Sequence, residues 1–277
     1  MLSLVACAGI PGSPAPSPTP TTTLAEDLAL LPGVLSARSS DVDVVVEVAR
    51  EAPDDVVLAV AEQAAALAGE RAWEGSVILA RETEPLDPET DTQPPTPWDT
   101  TVYPGEAARV RATLVELLAI EKAPDVVRVA VIDGWPNVVL GSLDTFASSF
   151  RTLSELPQFA EGATYSYIGE QPRLHVVHLP ERMSAEAIEA VIRIAVENPE
   201  SEVELQSLTT PGNRWPELWV ARLTEEQRAR VDAQLRDPSL ADADPEGYPI
   251  PFQLSVLGPN GPELSWGTFG DVPDTSS

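Results

Sequence analysis

An α+β fold, built from tandem ferredoxin-like units with mostly antiparallel sheets, is what this sequence predicts. Three observations carry it. Period-2 apolar runs such as DVDVVVEVA (41–49) and VVRVAVI (126–132) mark strands. Runs with a 3.6-residue period, among them 54–68 and 184–197, mark helices between them. The elements then follow each other as βαββαβ from Asp41 to Ile132 and again to Leu208, with a shorter βαββ after that. This is the ferredoxin-like order. It places a first unit at 24–135, a second at 136–210 and a partial third at 211–270.

Taken in order, Val34 to Arg38 after Pro32-Gly33 is a short strand, and Asp41 to Ala49 is a clear one with Val42, Val44, Val46 and Val48 on one side. Pro53-Asp54-Asp55 opens a helix whose apolar stripe is Val57, Val60, Ala61, Ala64 and Leu67, with Gly69 as its stop. SVILAR (76–81) is the next strand, and the acidic, proline-rich stretch 83–97 is a long connection. A strand at 98–103 and a helix at 105–122 follow, the latter with Val110, Leu114, Leu117 and Leu118 inward. The strand 126–132 leads into a turn, Asp133-Gly134-Trp135-Pro136-Asn137.

The second set opens with a strand at 138–140 and a helix at 144–156, with Phe146, Phe150 and Leu153 inward. Strands at 163–168 and 173–179 pair across Gly169-Glu170-Gln171-Pro172. Ser184 caps the helix to Glu197, and 203–208 closes the set. In the third set a strand at 218–222 meets Thr224-Glu225-Glu226-Gln227, a capping box that opens a helix with Val231 and Leu235 inward. A loop at 237–249 and strands at 252–257 and 263–269 complete it, and 271–277 reads as a disordered tail.

Forty-four acidic residues against seventeen basic ones leave a net charge of −27, and Lys122 is the single lysine. Such a surface repels phosphate backbones, so nucleic acid is not an expected partner, whereas cations and basic partners are attracted. One cysteine in 277 residues excludes an internal disulfide, CxxC redox chemistry and a thiolate zinc cluster. No downstream apolar run reaches the ~18 residues that span a bilayer. The P-loop, Rossmann and kinase signatures are absent, as is the GxSxG elbow, and no cofactor is expected.

Two sites can nevertheless be named. Asp242-Ala243-Asp244-Pro245-Glu246-Gly247 matches the opening of a calcium loop, with Asp242, Asp244 and Glu246 as ligands, but Gln253 stands where the bidentate carboxylate belongs. Asp87, Glu89 and Asp91 have similar spacing without the glycine. His175 and His178 lie on one strand at an odd separation, so they face opposite sides. The tryptophans Trp135, Trp215, Trp219 and Trp266 sit at turns and hairpin ends, where they line a groove or cap a core.

The second site is at the N-terminus. Leu4-Val5-Ala6-Cys7 precedes a Pro/Ser/Thr tract, 8–23, with five prolines, an extended tether in composition. These four residues resemble the lipobox of bacterial lipoproteins. The resemblance implies a truncated signal over 1–7, a diacylglycerol anchor on Cys7 and an address on the extracytoplasmic face of the cell membrane. Residues 1–6 are shorter than the ~7–15 of a complete apolar signal region, so a working signal needs a start upstream of Met1. The leading expectation is therefore a lipid-anchored binding or assembly module with an envelope protein as its possible partner. The alternatives are an enzyme with an acidic cleft between units, secreted or cytoplasmic, and a cytoplasmic regulator that binds a small ligand.

Overall fold

A computed structural model describes residues 23–40, 42–84, 96–132, 134–168, 173–207, 216–258 and 261–271. Among them are twelve strands and six α-helices, and the chain is α+β as expected. The signal, most of the tether, most of the acidic connection and most of the C-terminal tail lie outside the described residues.

Strands β1 (Val34–Ser39), β2 (Asp43–Val48), β3 (Ser76–Arg81) and β4 (Asp99–Val102) form a four-stranded sheet in that order. The other eight form a second sheet, also sequential: β5 (Val126–Ile132), β6 (Trp135–Leu140), β7 (Ala163–Ile168), β8 (Arg173–His178), β9 (Glu202–Ser207), β10 (Pro216–Leu223), β11 (Pro251–Gly258) and β12 (Gly261–Thr268). Helix α1 (Leu24–Ala29) precedes β1, and α2 (Asp54–Glu70), α3 (Ala107–Glu121), α4 (Phe146–Ser154), α5 (Ala185–Glu197) and α6 (Glu225–Leu235) follow every second strand.

This order corrects two expectations. The sheets are mixed, because every hairpin is antiparallel while the helical crossovers β2–β3, β6–β7, β8–β9 and β10–β11 join parallel neighbours. Tandem ferredoxin-like units are not found in it either. A split βαβ unit leaves room for another strand between the two that a helix joins, whereas here those two strands pair directly. The repeating element is ββα. The boundary expected at 135/136 falls inside the β5–β6 hairpin, where Ile132 pairs with Trp135, and β9 pairs with β10 across the one at 210/211.

Right-handed crossovers that all step in one direction put every helix on the same face. Each strand sends alternate side chains under that helical layer. Val44, Val46 and Val48 of β2, Leu174 and Val176 of β8, and Phe252, Leu254 and Val256 of β11 are buried there. They belong to one apolar cluster with α2, α3, α5 and α6, and the cluster runs through both sheets without a break. Burial of this kind contributes about 25 cal/mol per Å² of apolar surface.

Helix ends follow local chemistry. Ser184 accepts from the Ala187 N–H, and Thr224 with Gln227 closes the expected capping box on α6. Thr23 with Glu26 closes another on α1, a helix the sequence reading does not include. Helix α2 continues one residue past the expected stop at Gly69.

Between the sheets, β4 and β5 are joined by one backbone bridge, Trp98 to Val129, and then diverge. Beside this bridge, buried side chains tie the end of β3 to the end of α3. Arg81, 6% exposed, donates from Nη1 to the carbonyls of Arg50 at 2.6 Å and Ala52 at 3.3 Å, and from Nη2 to Glu121 Oε2 at 3.0 Å. Its guanidinium lies over the buried Trp98 ring at 5.2 Å.

Candidate functional site

The face opposite the helices carries the other half of each strand's side chains. In the eight-stranded sheet the registers bring one residue per strand into a single row. From β6 to β12 it reads Val139, Ser166, His175, Glu204, Trp219, Gln253, Trp266. With strands ~4.8 Å apart, these seven positions span about 29 Å.

Intramolecular hydrogen bonds fix several members of this face. Ser166 Oγ and His175 Nδ1 are 3.0 Å apart, and Gln206 Nε2 donates to Glu204 Oε1 at 2.5 Å. Trp266 Nε1 donates to Gln253 Oε1 at 3.2 Å, and Trp135 Nε1 to Thr164 Oγ1 at 2.9 Å. Both indole N–H groups are thus satisfied within the chain, which leaves the rings as apolar surface. Trp219 is 43% exposed and Trp266 63%, while Ile132, Ile168 and Leu264 add exposed aliphatic surface. Arg128 and Arg173 stand among Glu202, Glu204 and Glu217 on this face, so it is far closer to neutral than the chain's −27.

The odd separation of the two histidines places them as expected. His175 is in the open row. His178 is buried under the helices, where Nε2 donates to the Met183 carbonyl at 3.2 Å and the Phe150 ring packs edge-on at 5.2 Å. Burial lowers its pKa below the ordinary imidazole value, and the hydrogen bond to Met183 opposes part of that.

Ser166, His175 and Glu204 adjoin in the row, but the surroundings are wrong for acyl transfer. Strand β7 is paired on both sides, with β6 and β8, so its backbone N–H groups are held in ladders. None is left to stabilise an oxyanion above Ser166.

A cavity of about 800 Å³ opens at the seam, where the ends of β2, β3, β6 and β7 meet the start of β5. Arg50, Arg81 and Arg128 and Glu51, Glu84 and Glu121 are among its lining residues. The arginines are spoken for: Arg50 pairs with Glu84 at 2.8 Å, Arg81 with Glu121 at 2.8 Å and Arg128 with Asp99 at 3.0 Å. Of these pairs Arg128–Asp99 joins the two sheets, and mutually neutralised pairs of this kind supply neither a free base nor a free anion-binding fork.

The calcium candidate is engaged otherwise. Asp244 is buried and accepts from Arg182 Nη2 at 2.5 Å and from the Glu246 N–H at 2.8 Å. Glu246 is 3.4 Å from the same guanidinium, and Asp242 is exposed. A cation at this loop would have to displace Arg182. Among the described residues no three His, Cys, Asp or Glu side chains converge where they could hold a metal ion. Asp87, Glu89, Asp91, Trp215 and Cys7 with the lipobox-like Leu4 to Ala6 before it lie outside the described residues. No helix among the described residues is long and apolar enough to cross a membrane.

Sequence reading singled out Trp219, Trp266 and His175 but not Ser166, Glu204 or Gln253. The polar half of each strand's alternation marks those three as open-face positions, yet only register aligns them with the indoles. Comparison with protein-family models, with curated proteins and with solved structures returns no match for this chain.

Proposed function

We propose that this chain is a binding module rather than an enzyme, and that the helix-free face of its eight-stranded sheet is the working surface. One observation carries the reading: a seven-strand row of fixed polar groups and exposed indoles, with no helix of the described residues over it. Exposed apolar area rimmed by polar residues is the usual mark of an interaction surface. The lipobox-like Leu4 to Cys7 and the tether support an address at the extracytoplasmic face of the membrane, where a lipid on Cys7 would hold the module and leave this face free.

The two halves of the proposal are tested separately. Expressed with its upstream sequence and grown with radioactive palmitate, the chain is expected to take up label that Cys7→Ala abolishes; label retained in that variant would refute the address. For the surface, the full chain carrying Cys7→Ser is mixed with washed cell envelopes of its source and sedimented. It is expected to co-sediment, and Trp219→Ala with Trp266→Ala to prevent this. No co-sedimentation, or co-sedimentation indifferent to both tryptophans, would remove the face as the working surface.

A further inference from the structure

We infer that the ligand of this face is a linear, uncharged polysaccharide laid across the strands, an inference that rests on reading the face as a binding surface. Trp219 and Trp266 lie in one row with Gln253 between them, each one strand from it. Two strand spacings put the indoles about 9.6 Å apart. The Trp266 N–H is bound to Gln253, so that ring presents apolar surface, and both rings are exposed. A flat aromatic surface takes a flat partner, either the π-face of a nucleobase or another aromatic ring or the C–H face of a sugar ring.

Charge and polarity choose among them. A nucleic acid or an anionic glycan brings a polyanion to a chain of net charge −27, which repels it. A protein partner favours an interface centre poor in charged groups. Here Glu204 neighbours Trp219 directly, and Ser166 and His175 continue the row. From β7 to β11 the row thus places polar side chains (Ser166, His175, Glu204 and Gln253), held in orientation by bonds within the chain, beside the indoles of Trp219 and Trp266. That combination matches a sugar chain, in which every ring carries hydroxyl groups at its edge and C–H groups on its faces. Neutral sugar also fits a face on which two arginines stand among three glutamates.

The test uses the full chain carrying Cys7→Ser, titrated with uncharged hexasaccharides of glucose, N-acetylglucosamine, mannose and xylose. Hyaluronan and poly-lysine serve as the anionic and cationic probes, with tryptophan fluorescence and calorimetry as readouts. At least one neutral hexasaccharide is expected to bind, with affinity unchanged between about 50 and 500 mM NaCl. Trp219→Ala and Trp266→Ala are each expected to weaken it about two- to tenfold, and the double variant about four- to hundredfold. Both side chains lie on the open face, at 43% and 63% exposure, so the variants should keep the wild-type far-UV spectrum. Silence from every neutral hexasaccharide to about 5 mM, binding that the double variant leaves unchanged, or salt-sensitive binding of poly-lysine alone would each overturn the inference. Envelope co-sedimentation that persists while the sugars fail would leave the binding module standing and remove only its glycan ligand.

Discussion

Replacing Glu121 by Gln tests whether a buried ion pair fastens the end of α3 to β3, beside the junction of the two sheets. Arg81 is 6% exposed, and its Nε lies 2.8 Å from Glu121 Oε1 while Nη2 donates to Oε2 at 3.0 Å. The amide keeps the shape of the carboxylate and removes its charge, leaving a buried guanidinium without a counter-ion. Breaking a buried pair from one side costs about 3–5 kcal/mol. Arg81 retains the Arg50 and Ala52 carbonyls as acceptors, and the Glu121 side chain is 21% exposed. The expected loss is therefore at or just below the lower bound of that range, about 2–3 kcal/mol.

Urea unfolding followed by far-UV circular dichroism and by tryptophan fluorescence measures it. The apolar cluster runs through both sheets, so the two probes should give one coincident transition in wild type and variant alike. Arg81→Met is expected to cost at least as much, since it also strands the two carbonyls. The double variant Arg81→Met with Glu121→Gln should cost clearly less than the two single losses together, because no unpaired charge remains. A Glu121→Gln variant within about 0.5 kcal/mol of wild type, or strictly additive singles, would show that the pair does not fasten α3 to β3.

Two further outcomes follow from the buried side of the sheet. The pKa of His178 is lowered in the folded chain, so below about pH 6.5 the unfolded state binds more protons, and stability falls as pH falls from there by up to about 1.4 kcal/mol per unit until the folded-state imidazole is itself protonated. His178→Gln should flatten this slope; the carboxylates held low by Arg151 at Glu189 and by Ser239 at Asp237 contribute only at more acid pH, and an unaltered slope would clear His178 of the effect. Gly162 has φ +124°, and a Cβ there would sit 2.5 Å from the His178 carbonyl oxygen and 2.6 Å from the Trp135 ring. Gly162→Ala should cost about 3 kcal/mol and lower Tm by about 6–12 °C by calorimetry, and an unchanged Tm would refute the close packing.

Local signals were legible, and non-local pairing was not. Ser184 and Thr224 announce their helices because a cap needs residues only three positions away. The same chemistry at Thr23 and Glu26 was overlooked, since Thr23 ends a tract that reads as tether. Pro136 made 133–137 look like a turn, yet β6 begins at Trp135. Pairing with β7 starts at Asn137, so the missing N–H of Pro136 denies no ladder bond there. The ferredoxin-like order failed for a different reason. The string βαββαβ is common to a split unit and to consecutive ββα elements, and only the neighbour chosen after each helix separates them.

Parity is what turns this fold into a surface. On β10, Leu218 and Trp219 are neighbours of opposite sense: one is fully buried under the helices, and the other is 43% exposed. Sequential crossovers put all the helices on one side, so the buried half of every strand is committed to the core. The other half is released from packing across eight adjacent strands. A split βαβ order would have interleaved the strands and broken the row from Val139 to Trp266 into pieces from separate sheets. Direct pairing of successive strands makes the row continuous, and with it a platform long enough for an extended ligand. Shifting one strand by a single residue would turn its row member under the helices. The registers of β9 with β10 and of β10 with β11, which set Glu204, Trp219 and Gln253 side by side, are therefore the features on which this surface depends most.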